Sequence, residues 1–189
     1  MHQYVTAFVL LVVAQAPGWV GDATRATIPN RPAAGMIHGA RFTVEKAELS
    51  GGDTKDFKGR PLDHSTWFIH LRSGKDFFAD KEFVIFIATK AGETLDGRIY
   101  TLKMGSNFKQ PVGVHVGNTS YPAIQGLHMS YKVPGKSLPE TEMFMDKTSL
   151  RLEFGKTAGV KLPGRLYLCV QDPAKSWVAG TFNAVRSRF

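Results

Sequence analysis

The chain holds a single cysteine in 189 residues. An internal disulfide framework is therefore impossible, and a structural zinc site loses its usual cysteine ligands. No apolar run approaches the about 20 residues that a membrane-crossing helix needs. No segment carries a sustained apolar stripe of helical period, so long amphipathic helices have no support. The phosphate-binding loop, the dinucleotide-binding GxGxxG and the GxSxG nucleophile elbow are all missing. Histidines never stand at the HxH or HxxxH spacing that fixes two metal ligands locally. Acidic residues are the minority, with 16 Asp and Glu against 24 Lys and Arg and a formal charge of +8.

The excess of basic residues is spread over many turns, and its densest short stretch is Arg186-Ser187-Arg188 at the tail. A scattered positive field suits anionic glycans or the cell envelope better than nucleic acid, which is not expected as a partner. The composition is 43% hydrophobic and 11% aromatic, enough for a packed core and unlike a disordered chain.

The first residues read as an address. VTAFVLLVV at residues 5–13 is apolar except for Thr6 and has the length of a signal-peptide h-region. No Lys or Arg precedes it, and Pro17 directly follows Ala14-Gln15-Ala16, a poor context for cleavage. Gly21-Asp22-Ala23 is the cleaner small-x-small pattern. The expected organisation is a signal peptide over residues 1–23, a flexible lead-in over 24–34 and one domain over 35–189. A buried N-terminal strand is the competing reading of the same run. The expected address is secreted or periplasmic, with no stable membrane insertion once the leader is removed.

The body reads as strands. Residues 66–73 (TWFIHLRS) place Trp67, Ile69 and Leu71 on one face and Phe68, His70 and Arg72 on the other. Residues 126–133, 148–154 and 165–171 alternate in the same way, and 35–44, 97–103 and 177–185 are further candidates. Residues 83–89 (FVIFIAT) are apolar on both faces, as in a strand covered from two sides. Turn residues separate these segments, which points to an all-β, antiparallel β-sandwich of jelly-roll or immunoglobulin-like type with little helix. Residues 42–49 hold helix formers and could carry a helical turn. Long loops are expected at 50–65, 105–125 and 134–143, the second with strand composition at 112–116. In the turn GKDFFADKE, Phe77 and Phe78 are expected in the core, with Asp76 and Asp80 meeting lysines.

No catalytic residue, metal site or cofactor is assigned. Cys169 shares a strand face with Arg165, Tyr167 and Gln171 and reads as a packing residue. The candidate ligand-binding residues share the second long loop. They are Tyr121, a loop aromatic; Asn118, which opens the sequon Asn118-Thr119-Ser120; and His115. The expected function is a non-catalytic binding protein that takes a glycan or an anionic envelope component through its loops. The alternative is an extracytoplasmic hydrolase acting on carbohydrate.

Overall fold

The computed structural model describes residues 18–106, 112–116 and 119–187. The apolar run at residues 5–13 lies outside them. No helix among the described residues is long and apolar enough to cross a membrane.

Apart from one 3-10 turn (Ala23–Arg25), the regular structure is strand. In chain order the strands are β1 (Ala34–Ile37), β2 (Ala40–Thr43), β3 (Lys46–Gly51), β4 (His64–Ser73), β5 (Lys81–Lys90) and β6 (Ile99–Leu102). There follow β7 (Val112–Val116), β8 (Thr119–Pro122), β9 (Ile124–Tyr131), β10 (Glu140–Phe144), β11 (Thr148–Phe154), β12 (Lys161–Val170) and β13 (Trp177–Arg186). One sheet runs β10-β9-β5-β4-β3-β13-β12-β11-β6, with β1 and β2 branching from β13, and β7–β8 form a separate hairpin. The expected all-β architecture with almost no helix is what the chain adopts. Its main sheet is continuous and curled, and not every pairing is antiparallel, because β3 runs parallel to β13.

The curl follows from connectivity. β10 ends one side of the strand order, yet it runs through residues 145–147 directly into β11 near the other end. The Gly105 amide donates to the Asp146 carbonyl at 2.7 Å, which ties the segment after β6 to this crossing. The concave face then encloses one core. Trp67, Ile69 and Leu71 of β4, Phe83, Ile85 and Ile87 of β5, and Leu127 and Met129 of β9 are all buried there. Leu150, Leu152 and Phe154 of β11 and Leu166, Leu168 and Val170 of β12 close it from the other side. The alternation legible in these strands is the inside-outside alternation of the pleat.

On the second face of β5, Val84 and Ala88 are also buried. Phe86 is only half-buried and meets Phe68 and His128 edge-on, with ring centroids at 5.3 and 4.5 Å. The backbone of β7 approaches β5 and β4.

Three expectations need correction. Residues 42–49 span the end of β2, a two-residue connection and most of β3, because β3 is hydrogen-bonded to β4 and to β13 and buries Ala47 and Leu49. Tertiary pairing overrides a weak helix propensity. Residues 140–144, expected in a loop, form β10 against β9. Phe77 and Phe78 are not in the core, being 88% and 41% exposed. The β4–β5 ladder ends at Ser73–Lys81, so the tip projects past the core, and there the two rings pack against each other at 5.1 Å. The aspartates do meet a lysine, but it is Lys132, at 2.7 Å from Asp76 and 2.8 Å from Asp80.

β13 organises the sheet. Its first half pairs with β1 and its last residues pair with β3 along the same edge, while β12 occupies the other edge. The change of partner falls at Gly180 and Thr181, where Thr181 exchanges backbone hydrogen bonds with Arg31 and Ala33. Gly180 has φ +137°, and a Cβ there would stand 2.5 Å from the Arg31 carbonyl oxygen and 2.7 Å from the Ala33 Cα.

Residues 18–28 are strapped across the outer face of β11, β12 and β13. The Trp19 indole N–H donates to the Val170 carbonyl at 2.8 Å, and the Ala23 amide donates to Ser149 Oγ at 2.7 Å. The Val20 amide meets Cys169 Sγ at 3.3 Å, and the Tyr167 hydroxyl donates to the Gly18 carbonyl at 2.5 Å. Ala23, Tyr167, Cys169 and Ala179 form a second buried cluster flanked by Trp19, Val20, Ile28 and the half-buried Trp177. Farther along, Arg31 and Ala33 exchange backbone hydrogen bonds with Thr181, and Ala33 is buried.

Two outcomes are expected. Gly180→Ala should cost about 1–3 kcal/mol, since it combines an unfavourable φ with a backbone collision; urea melts measure it. A chain that starts at Thr24 should be less stable than one that starts at Gly18 by at least about 2 kcal/mol, the scale of one buried aromatic side chain. It should also expose Cys169, so thiol labelling at pH 8 should be fast in the shorter chain and slow in the longer one.

Candidate functional site

The structure places His115 on β7 and Tyr121 on β8 of the same hairpin; Asn118 lies outside the described residues. In the ladder His115 is opposite Ser120 and Tyr121 is opposite Val114. The two residues thus share a hairpin without being cross-strand partners.

A concavity forms elsewhere, at the end of the curled sheet where three connections meet. Leu49 of β3 and Trp67 of β4 line one side. The β5–β6 connection brings Thr94, Leu95 and Asp96. The β11–β12 turn brings Thr157, Gly159 and Val160, followed by Leu162 of β12, and β13 brings Arg186. The enclosed space is about 210 Å³. Leu95 and Leu162 are almost fully buried, whereas Val160 is 55% exposed and stands at the mouth.

Local sequence explains how these groups are held. Gly52 has φ +79°, and a Cβ there would lie 2.2 Å from the Trp67 ring. Only glycine lets the β3–β4 connection cross the indole so closely. The Trp67 N–H donates to Thr89 Oγ1 at 3.0 Å, which fixes the ring plane. The Arg186 guanidinium sits 5.3 Å from the centroid of that ring, within cation–π range. Across the cavity, Asp96 Oδ1 accepts from the Thr157 hydroxyl at 2.5 Å and from its amide at 3.3 Å. Mostly apolar walls with a few convergent polar groups are the usual form of a small-molecule site.

Polar clusters elsewhere are internally matched. On the convex face of β3, β4 and β5, His70 Nδ1 meets Glu82 at 2.9 Å, and Arg72 bridges Glu48 and Glu82 at 3.2 and 3.5 Å. At the opposite end from the cavity, the Tyr131 hydroxyl lies 3.2 Å from Glu140 and 3.0 Å from Glu142 while its ring stacks on His38 at 4.4 Å. Burial and these two carboxylates push the phenol up to about 12. Glu140 and Glu142 grip one hydroxyl from the same strand and do not oppose each other across a cleft, as a glycosidase pair must. Burial pushes the Cys169 thiol up to about 11, against a partial counter-effect from the Val20 amide, so it is no thiolate at neutral pH. Among the described residues, no three His, Cys, Asp or Glu side chains converge as metal ligands would.

Glu153 is held between Arg151 Nε at 2.7 Å and Arg165 Nε at 2.8 Å. Burial alone would push its carboxyl up, but the hydrogen bonds from Arg165 and Arg151 outweigh burial and hold it below the usual carboxylate range. A carboxyl lowered in the folded state stabilises above its unfolded value, near pH 4.3, and the effect is lost as pH falls through the lower, folded one. Glu153→Gln should therefore cost about 1–2 kcal/mol at pH 7, allowing for the half-exposed arginines. The difference from wild type should vanish toward pH 3 in urea melts taken across that range.

The cavity was not legible from the sequence. Trp67 reads as an ordinary inward strand residue and Arg186 as part of a basic tail, and Leu95 and Val160 sit in turns without any motif. No local signal joins residues that topology alone brings together. The chain matches no protein-family model, no curated protein and no solved structure.

Proposed function

We propose that the protein is an exported, non-catalytic binding protein whose ligand is a small, largely apolar molecule held in the cavity between the β3–β4 side and the β11–β12 turn. The observation that carries this reading is a partly enclosed space of about 210 Å³ walled by Leu49, Trp67, Leu95, Val160 and Leu162. An apolar cavity of about 150 Å³ accepts benzene. The space here therefore suits a single ring with a short substituent, or a folded chain of similar size. The curled sheet supplies the facing walls, in the manner of a sandwich, and the connections at its end supply the rim.

The same walls weigh against a glycan as the occupant. Sugar hydroxyls against Leu95 and Leu162 would be left without partners, at about 1–3 kcal/mol each. A glycan or anionic envelope component would have to meet the outer loops instead. Glu140 and Glu142 hold one tyrosine hydroxyl and do not face each other across a cleft, which supports binding over the catalytic alternative.

Export rests on the apolar run at residues 5–13. The strap adds a constraint on processing: Trp19, Val20 and Ala23 are packed or hydrogen-bonded into the fold. Cleavage after Ala23 would remove them, so the mature chain of this reading begins at or before Gly18.

The test is a titration with 1-octanol, followed by the indole N–H resonances in NMR spectra of isotope-labelled protein. The Trp67 resonance should shift saturably while those of Trp19 and Trp177 stay in place. Val160→Trp, which fills the mouth from an exposed position, should weaken the titration at least tenfold with an unchanged urea midpoint. A Trp67 signal that ignores the probe would refute the proposal.

A further inference from the structure

We infer that the ligand of this cavity carries one carboxylate, bound by Arg186, so that the site takes small amphipathic monocarboxylic acids. The inference rests on the cavity being the binding site proposed above.

Arg186 differs from most arginines of the surrounding sheet, and unlike Arg41 of β2, for which no ion pair is seen among the described residues either, it lines the cavity. Arg72, Arg151 and Arg165 each face a glutamate, and Arg98 pairs with Glu93 at 2.9 Å. Among the described residues no carboxylate stands within ion-pairing distance of Arg186, which instead lies over the Trp67 ring. Its backbone is fixed, since its amide donates to the Val160 carbonyl at 3.0 Å and the next amide donates to the Leu49 carbonyl at 2.9 Å. A guanidinium with one face against an indole has lost water from that face and keeps its edge donors for a planar acceptor. Those donors match a carboxylate in two parallel hydrogen bonds.

The remaining charge in the cavity narrows the class. Asp96 lines the same space, and its carboxylate is engaged by Thr157 through Oδ1. A second anionic group on the ligand would meet this charge, so a monoanion fits and a dicarboxylate does not. The walls opposite Arg186 are Leu95, Val160 and Leu162, which suit an alkyl chain or an aromatic ring. The volume limits the apolar part to about the size of a ring or of a chain of seven or eight carbons.

The deciding experiment is isothermal titration of the full chain at pH 7.5 with octanoate, 1-octanol, octyl sulfate and suberate. It is repeated on Arg186→Gln and Arg186→Lys. Octanoate should bind wild type at least tenfold tighter than octanol, and suberate should bind more weakly than octanoate. Arg186→Gln should abolish the preference, so that the variant binds octanoate no tighter than it binds octanol. Arg186→Lys, which keeps the charge but loses the planar fork, should retain only part of the preference. Equal binding of octanoate and octanol by wild type, or a preference that survives Arg186→Gln, would overturn the carboxylate assignment and leave the apolar cavity standing. Octyl sulfate binding as tightly as octanoate would overturn it too. Failure of every probe would overturn the cavity reading and this inference together. Should Arg186→Gln not fold, Arg186→Lys decides: an undiminished preference there refutes the inference.

Discussion

The fold depends on one shared edge. β13 gives its first half to β1 and its last residues to β3, while β12 occupies the opposite side throughout. The switch is possible because Gly180 takes a φ of +137° where a side chain would strike Arg31 and Ala33. Around that point this edge passes from an antiparallel pairing with β1 to a parallel pairing with β3, both distant in sequence. The direct run of β10 into β11 then forces the remaining strands to curl. A flat sheet with the same inward residues would expose a broad apolar face. The curl turns that face into a single core.

Once curled, the sheet presents two different surfaces. The concave one is filled by aliphatic and aromatic side chains down to the end where the cavity opens. The convex one is mostly dressed by charge pairs that satisfy one another, such as Arg72 between Glu48 and Glu82 and Glu153 between Arg151 and Arg165. The exception is the patch over β11, β12 and β13, which is apolar enough to need a cover. Trp19, Val20 and Ile28 provide it and seal Cys169 beneath. That strap explains why a cysteine in an outward register is buried and unreactive.

The cavity is one place where the fold leaves space, and further, more open concavities lie beside Tyr131 and beside Gly164. Packing is complete around Ile69, Ile85 and Leu166, and it stops at Leu95, Leu162 and the Trp67 ring. Unfilled volume costs stability. Arg186 lies at the same end without a carboxylate partner among the described residues, a second departure from economy. Together these give the site its proposed chemistry.

The sequence by itself determined which residues face inward and that the fold is built from strands. Period-two alternation in residues 66–73, 126–133, 148–154 and 165–171 reports the pleat directly, and the doubly apolar run at 83–89 marks the central strand. Residues 112–116 also showed their strand composition. Tertiary structure decided what local chemistry could not express. It made a strand of 46–51 despite its helix formers, because hydrogen bonds to β4 and β13 outweigh a weak propensity. It drew 140–144 into the sheet edge and left Phe77 and Phe78 beyond the end of the core. The loop residues His115 and Tyr121 looked chemically apt, but the cavity is lined by residues from Leu49 to Arg186 that share no motif. Their meeting is a consequence of strand order, and strand order is set by contacts distant in sequence that no short window of residues contains.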